Sequence, residues 1–166
     1  MVNTFLGYAR YGYPRYPLIP LDSGAISSTN LLGNYIGIDQ AGALATILKE
    51  HPTLKSLCGN RGDETELDMS GKEIGVEGAI MLAPEIIDNG ALSVLSLNSN
   101  SLGVDGGKAL AEGLRGNSVL IELNIADNNL TNYGRDMSGV IALADVIKDM
   151  GALVCADGRY YHEWRS

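Results

Sequence analysis

Aliphatic residues recur along this chain at offsets that no single helix or strand explains. Leu92, Leu95, Leu97, Asn100 and Leu102 stand in the order L-x-x-L-x-L-x-x-N-x-L. Shifted by 28 residues, Leu120, Leu123, Ile125, Asn128 and Leu130 repeat that order with one Ile. Shifted back by 66, Ile26, Thr29, Leu31, Asn34 and Ile36 give a slightly degraded copy. The agreement runs on past the motif, because Gly103, Asp105, Ala109, Leu110, Ala111 and Leu114 fall on Gly37, Asp39, Ala43, Leu44, Ala45 and Leu48. A further copy supplies Leu67, Met69, Ile74, Gly75, Gly78, Leu82, Ala83 and Ile86, with Lys72 where Asn is expected. Self-similarity at a fixed period marks a chain built from stacked structural units.

Each copy joins a period-2 stretch such as Leu95-Ser96-Leu97 to a period-3.6 stretch such as Gly106–Leu114, which predicts a strand followed by a helix. The Leu and Ile positions are expected to point inward. Asn100 and its counterparts are suited to bonding backbone groups in the turn that leaves the strand. Gly37, Gly75 and Gly103 fit a bend that a Cβ would obstruct, while Ala109 and Ala111 permit close approach of the helix to the sheet. No strand–helix unit buries its own apolar side, so units must stack, and at least about three are needed. Two spacings depart from the period. Leu54 to Leu92 is 38 residues, which places ten extra residues between Leu54 and Leu67. Leu120 to Leu153, the start of a last copy, is 33, which places five more near Tyr133–Ser138. Insertions of this kind map to loops on one face.

These units resemble leucine-rich repeats of the ribonuclease-inhibitor type over residues 23–155. Stretches such as Ser23-Gly-Ala-Ile-Ser-Ser-Thr-Asn-Leu-Leu, Leu57-Cys-Gly-Asn and Glu64-Thr-Glu-Leu-Asp-Met-Ser-Gly are similar to a branch of that family common in unicellular eukaryotes. The resemblance implies an α/β fold, a short right-handed solenoid with parallel strands on the concave face and helices on the convex one, used to recognise proteins. The chain departs from the family pattern in its two insertions, in Lys72 and in its Tyr-rich start. Residues 1–22 form an extended Tyr/Pro-rich arm and cap in this reading, 23–155 the repeats, and 156–166 a C-terminal cap or tail in which Tyr160, Tyr161 and Trp164 cover the last unit.

Composition narrows the function classes. With 166 residues, 45% hydrophobic and 19% charged, the chain has the makeup of one folded domain. No apolar run approaches the roughly 18 to 20 residues needed to cross a bilayer. No basic stretch followed by an apolar one opens the chain, which predicts a cytoplasmic protein, or one in an organelle interior after import. A net charge of −8 argues against a nucleic-acid backbone as ligand. Residues 1–21 hold Arg10 and Arg15 and no acid, so that segment is chemically distinct. Cys58 and Cys155 read as reduced thiols, too many strand widths apart for a disulfide.

Candidate chemistry is sparse. Gly103-Val-Asp-Gly-Gly-Lys108 lacks the spacing of a phosphate loop and the Ser or Thr after its Lys, and the repeat explains its glycines. His51, before Pro52, fits the carbonyls at a helix end. Asp63, Glu64, Glu66 and Asp68 lack calcium-loop spacing and read as a solvated acidic rim. No catalytic, cofactor-binding or metal-ligating residue and no small-molecule substrate is expected. What remains is a surface: strand positions directed away from the core are Ser28, Asn30 and Leu32, then Glu66, Asp68 and Ser70, then Val94, Ser96 and Asn98, then Glu122, Asn124 and Ala126. Asn30, Glu66, Asp68, Ser96, Asn98, Glu122 and Asn124 are the candidate contacts there, joined by Tyr8, Tyr11, Tyr13 and Tyr16 of the arm, because Tyr is enriched at protein interfaces. The expected function is a non-catalytic binding or scaffold module, a small accessory subunit of a larger assembly being one form of it, with another protein as partner. The alternative is a regulator of an enzyme, such as a GTPase activator or hydrolase inhibitor.

Overall fold

The computed structural model describes residues 26–151. It is an α/β arrangement of four helices, α1 (Ile38–Glu50), α2 (Gly75–Asp88), α3 (Gly103–Leu114) and α4 (Ser138–Ile147), and three strands, β1 (Glu66–Asp68), β2 (Val94–Ser96) and β3 (Glu122–Asn124). The strands form an open parallel sheet in chain order. Glu66 pairs with Val94 and Val94 with Glu122, so the 28-residue sequence period is also the register. The helices likewise pack in chain order, α1 on α2, α2 on α3 and α3 on α4. Among the described residues no helix is long and apolar enough to cross a membrane.

The core lies between sheet and helices, as the repeat requires. Leu92, Leu95, Leu97, Leu102, Leu110, Leu114, Leu120 and Leu123 are fully buried in one continuous cluster. Two residues of the first copy depart from expectation. Ile26, expected to point inward, is 66% exposed. Leu32, expected to face outward, packs against the core close to Gly78 of α2. His51 also differs: its Nδ1 accepts from the N–H groups of Thr53 and Leu54 at 3.3 and 3.0 Å, instead of serving the helix carbonyls.

Strand-to-helix turns follow one plan. Gly37, Gly75 and Gly103, expected at a bend, take φ of 82°, 64° and 64°, the left-handed region that favours glycine. The bend aims the Gly75 and Gly103 N–H groups at the carbonyls of Asn100 and Asn128 in the next unit. The same turns force Tyr35, Glu73, Ser101 and Asn129 to φ between 50° and 56°. A sequence search for glycine finds the first set and misses the second.

Helix-to-helix approach is set by Gly113, which the repeat does not mark, and by Gly139, the counterpart of Gly106 once the five-residue insertion is counted. A Cβ on Gly113 of α3 would lie 2.8 Å from the Ala83 carbonyl oxygen and 2.9 Å from the Ala83 Cα of α2. A Cβ on Gly139 of α4 would lie 2.8 Å from the carbonyl oxygen of Val104. Backbone, not a movable side chain, stands in the way. Gly42, inside α1, has open space around it. Gly113→Ala is therefore expected to destabilise by about 1–3 kcal/mol through overpacking, whereas Gly42→Ala should stabilise by about 0.5–1 kcal/mol through lower helix-forming cost. Urea titration of the two variants beside the parent tests the contrast, and a stabilised Gly113→Ala would contradict the packing.

Candidate functional site

The exposed face of the sheet is built by strand alternation. Leu67, Leu95 and Leu123 turn to the core, so their neighbours turn away from it. Register then aligns those neighbours in rows: Glu66, Val94 and Glu122 in one, Asp68, Ser96 and Asn124 in the next. Strands lie about 4.8 Å apart, which puts the backbones of Glu66 and Glu122 about 10 Å from each other with Val94 between them. Glu66, Asp68 and Glu122 are exposed; Val94, Ser96 and Asn124 are half-buried.

A polar chain crosses the face. Asp68 Oδ1 accepts from the Ser70 hydroxyl at 2.6 Å and the Ser70 N–H at 3.0 Å. Ser70 Oγ is 2.9 Å from Ser96 Oγ, and Ser96 Oγ is 3.1 Å from Asn98 Oδ1. With the Ser70 proton given to Asp68, the single Ser96 proton serves either Ser70 or Asn98. That leaves the row short of a donor, and an incoming N–H would complete it. The Ser70 hydroxyl, its N–H and more weakly the Lys72 charge hold the Asp68 carboxyl below the usual carboxylate range, so it stays ionised. Glu66 and Glu122 form no ion pair with any described residue.

The structure thus brings Glu66, Asp68, Ser96, Asn98, Glu122 and Asn124 onto one face. Asn30 belongs to a separate pair of segments, where Ser28 bridges Ser56 in parallel and Asn30 bridges Cys58 antiparallel, so the first copy forms no strand of the parallel sheet that the repeat predicts for it. Its Oδ1 accepts from Leu32 N–H and shapes a turn. Tyr8, Tyr11, Tyr13 and Tyr16 lie outside the described residues, as do Cys155 and the C-terminal aromatics. The acidic rim is partly committed to local structure: Glu64 caps the N–H groups of Arg61 and Gly62, and Asp63 pairs with Arg61 at 3.2 Å.

Two polar constructions went unseen or half-seen in the sequence. Asn100, 1% exposed, donates to the carbonyls of Met69 and Leu97 and accepts from the N–H groups of Lys72 and Ile74, so it stitches one unit to the next. Asn128 repeats this, bonding Leu97, Ile125, Asn100 and Leu102. At the ten-residue insertion, where Lys72 replaces the ladder Asn, no backbone hydrogen bond joins residues 54–60 to β1 among the described residues. Glu85 of α2, 5% exposed, makes the join. Its carboxylate accepts from Leu57 N–H at 2.7 Å, Cys58 N–H at 3.0 Å, Ser56 Oγ at 2.9 Å and Asn60 Nδ2 at 2.7 Å. Burial, reinforced by the Glu85 charge, pushes the Cys58 thiol far up, so that residue is an inert core group.

No protein-family model matches the chain, and a search of curated proteins finds no match to it.

Proposed function

We propose that this chain is a leucine-rich-repeat solenoid of the ribonuclease-inhibitor type, whose exposed strand face binds another protein and carries out no catalysis. The observation that carries the reading is the pair of aligned rows, Glu66/Val94/Glu122 and Asp68/Ser96/Asn124, fixed by register on a leucine core. A rigid floor of carboxylates, hydroxyls and amides offers hydrogen-bond acceptors in excess of donors. Its complement is a basic or donor-rich protein surface, since opposite potentials raise association rates and fix orientation.

The test is charge reversal on the face. Glu66→Lys, Asp68→Lys and Glu122→Lys combined should leave folding intact, because these side chains are exposed. Crosslinking mass spectrometry in source-cell extract identifies the partner and the contacting residues. Titration of the purified partner should then show at least about a tenfold loss of affinity for the triple variant, near 1.4 kcal/mol. Undiminished affinity, or crosslinks confined to the helices, would refute the assignment of this face.

A further inference from the structure

One row of the exposed strand face is a carboxylate, an isopropyl group and a second carboxylate. Glu66 and Glu122 are exposed, Val94 between them is half-buried, and register holds the two glutamate backbones about 10 Å apart. Neither carboxylate pairs with a described cation, and no position of β1, β2 or β3 is a Lys or Arg. Asp68, in the next row, is already engaged by the hydroxyl and N–H of Ser70. Free acceptors therefore stand at the two ends of an apolar platform, so a fitting occupant carries donors on its edges and none on its face. A guanidinium has that form, because its five N–H groups lie in one plane and it is weakly hydrated. Two charge-assisted bonds of about 2.8 Å and the width of the guanidinium span roughly 8 Å, which two glutamate side chains reach by leaning inward. An ammonium is a compact, strongly hydrated charge that serves one end of the row and loses water over Val94.

We propose that the strand face selects arginine over lysine in its partner, with one guanidinium flat on Val94 and held at its edges by Glu66 and Glu122. The inference rests on reading that face as a protein-binding surface, and narrows the partner to one whose contact centres on an exposed arginine. The row of Asp68, Ser96 and Asn124 lies roughly 7 Å further along the strands. There the set of Ser70, Ser96 and Asn98, short of a donor, accepts an N–H from the chain that flanks the arginine.

Short peptides test the selectivity on the full-length chain without a natural partner. The amide signals of Glu66, Val94 and Glu122 are followed by NMR while acetyl-Gly-Arg-Gly-amide is added, and again with lysine or citrulline in place of the arginine. The arginine peptide is expected to bind in the millimolar range, and the other two at least about fivefold more weakly. Glu66→Gln and Glu122→Gln, both at exposed side chains, should each lower the arginine affinity about threefold or more. Asp68→Asn, which removes only a neighbouring charge, should lower it no more than about twofold at physiological salt. Val94→Thr places a hydroxyl under the guanidinium and should narrow the gap between arginine and lysine to about twofold. Equal affinity for the lysine peptide overturns the proposal, as does a loss in Asp68→Asn that matches the loss in Glu66→Gln, or shifts that fall on the helices instead of the sheet. A partner that crosslinks to this face through no arginine overturns it too and leaves the functional reading standing. Arginine selectivity in a chain that captures no protein refutes only the functional reading.

Discussion

Glu85→Ala is expected to cost about 3–5 kcal/mol of folding stability, the largest effect of any substitution of an exposed-looking residue type in this sequence. The carboxylate is buried and takes four donors from residues 56–60. Removing it leaves the Leu57 N–H, the Ser56 hydroxyl and the Asn60 amide without an acceptor inside the protein, while the Cys58 N–H keeps Ser56 Oγ at 3.1 Å. An unsatisfied buried polar group costs about 1–3 kcal/mol, and partial relaxation toward water keeps the sum below three such penalties. Glu85→Gln should cost less, about 2 kcal/mol, since one oxygen remains while its new NH2 faces other donors.

The loss should also be local. Amide exchange at Leu57 and Cys58 should accelerate by a larger factor than at Leu95 and Leu97, whose bonds run to other units, and Cys58 should become open to thiol reagents. Chemical denaturation, amide exchange and peptide mapping of labelled cysteine measure the three consequences. A Glu85→Ala protein with parental stability and parental Cys58 protection would remove the network from any account of the fold.

Asn100→Ala should cost about 2–4 kcal/mol, and Asn34→Ala less than about 1 kcal/mol, although both residues occupy the same place in the repeat. Asn100 is buried and uses both ends of its amide on two units at once. Asn34 is exposed and donates only to the carbonyls of Leu31 and Leu32 in its own turn, where water can replace it. Equal losses for the two, measured by urea unfolding, would show that the motif position and not the inter-unit bonding sets the energy. The comparison separates what repeats from what stacks.

That separation describes how far the sequence could be read. From β1 to α4, strand and helix order, the 28-residue register and the bend at Gly75 and Gly103 follow from periodicity and from the one residue type without a Cβ. The face residues Glu66, Asp68, Ser96, Glu122 and Asn124 followed as well, because alternation on a strand is a local rule. Glu85 did not. Its counterpart 28 residues on is Gly113, so self-comparison offered no reason to single it out; the signal was a charged residue between Pro84 and Ile86 on a helix whose neighbouring positions are apolar.

From β1 to α4, periodicity thus determined the element types, their order, their pairing and the direction of the strand side chains, all of which are properties one unit shares with the next; the first copy, with isolated bridges in place of a strand, departs from it. Only the tertiary structure decided which asparagine is buried, that Leu32 turns inward while Ile26 is left exposed, and that a carboxylate on α2 replaces the asparagine ladder at the insertion. The physical reason is that burial belongs to a pair of units rather than to one. Where ten added residues break the translational equivalence of the units, identical motif residues meet different neighbours, and the polar groups stranded there must find an acceptor that the repeat does not encode.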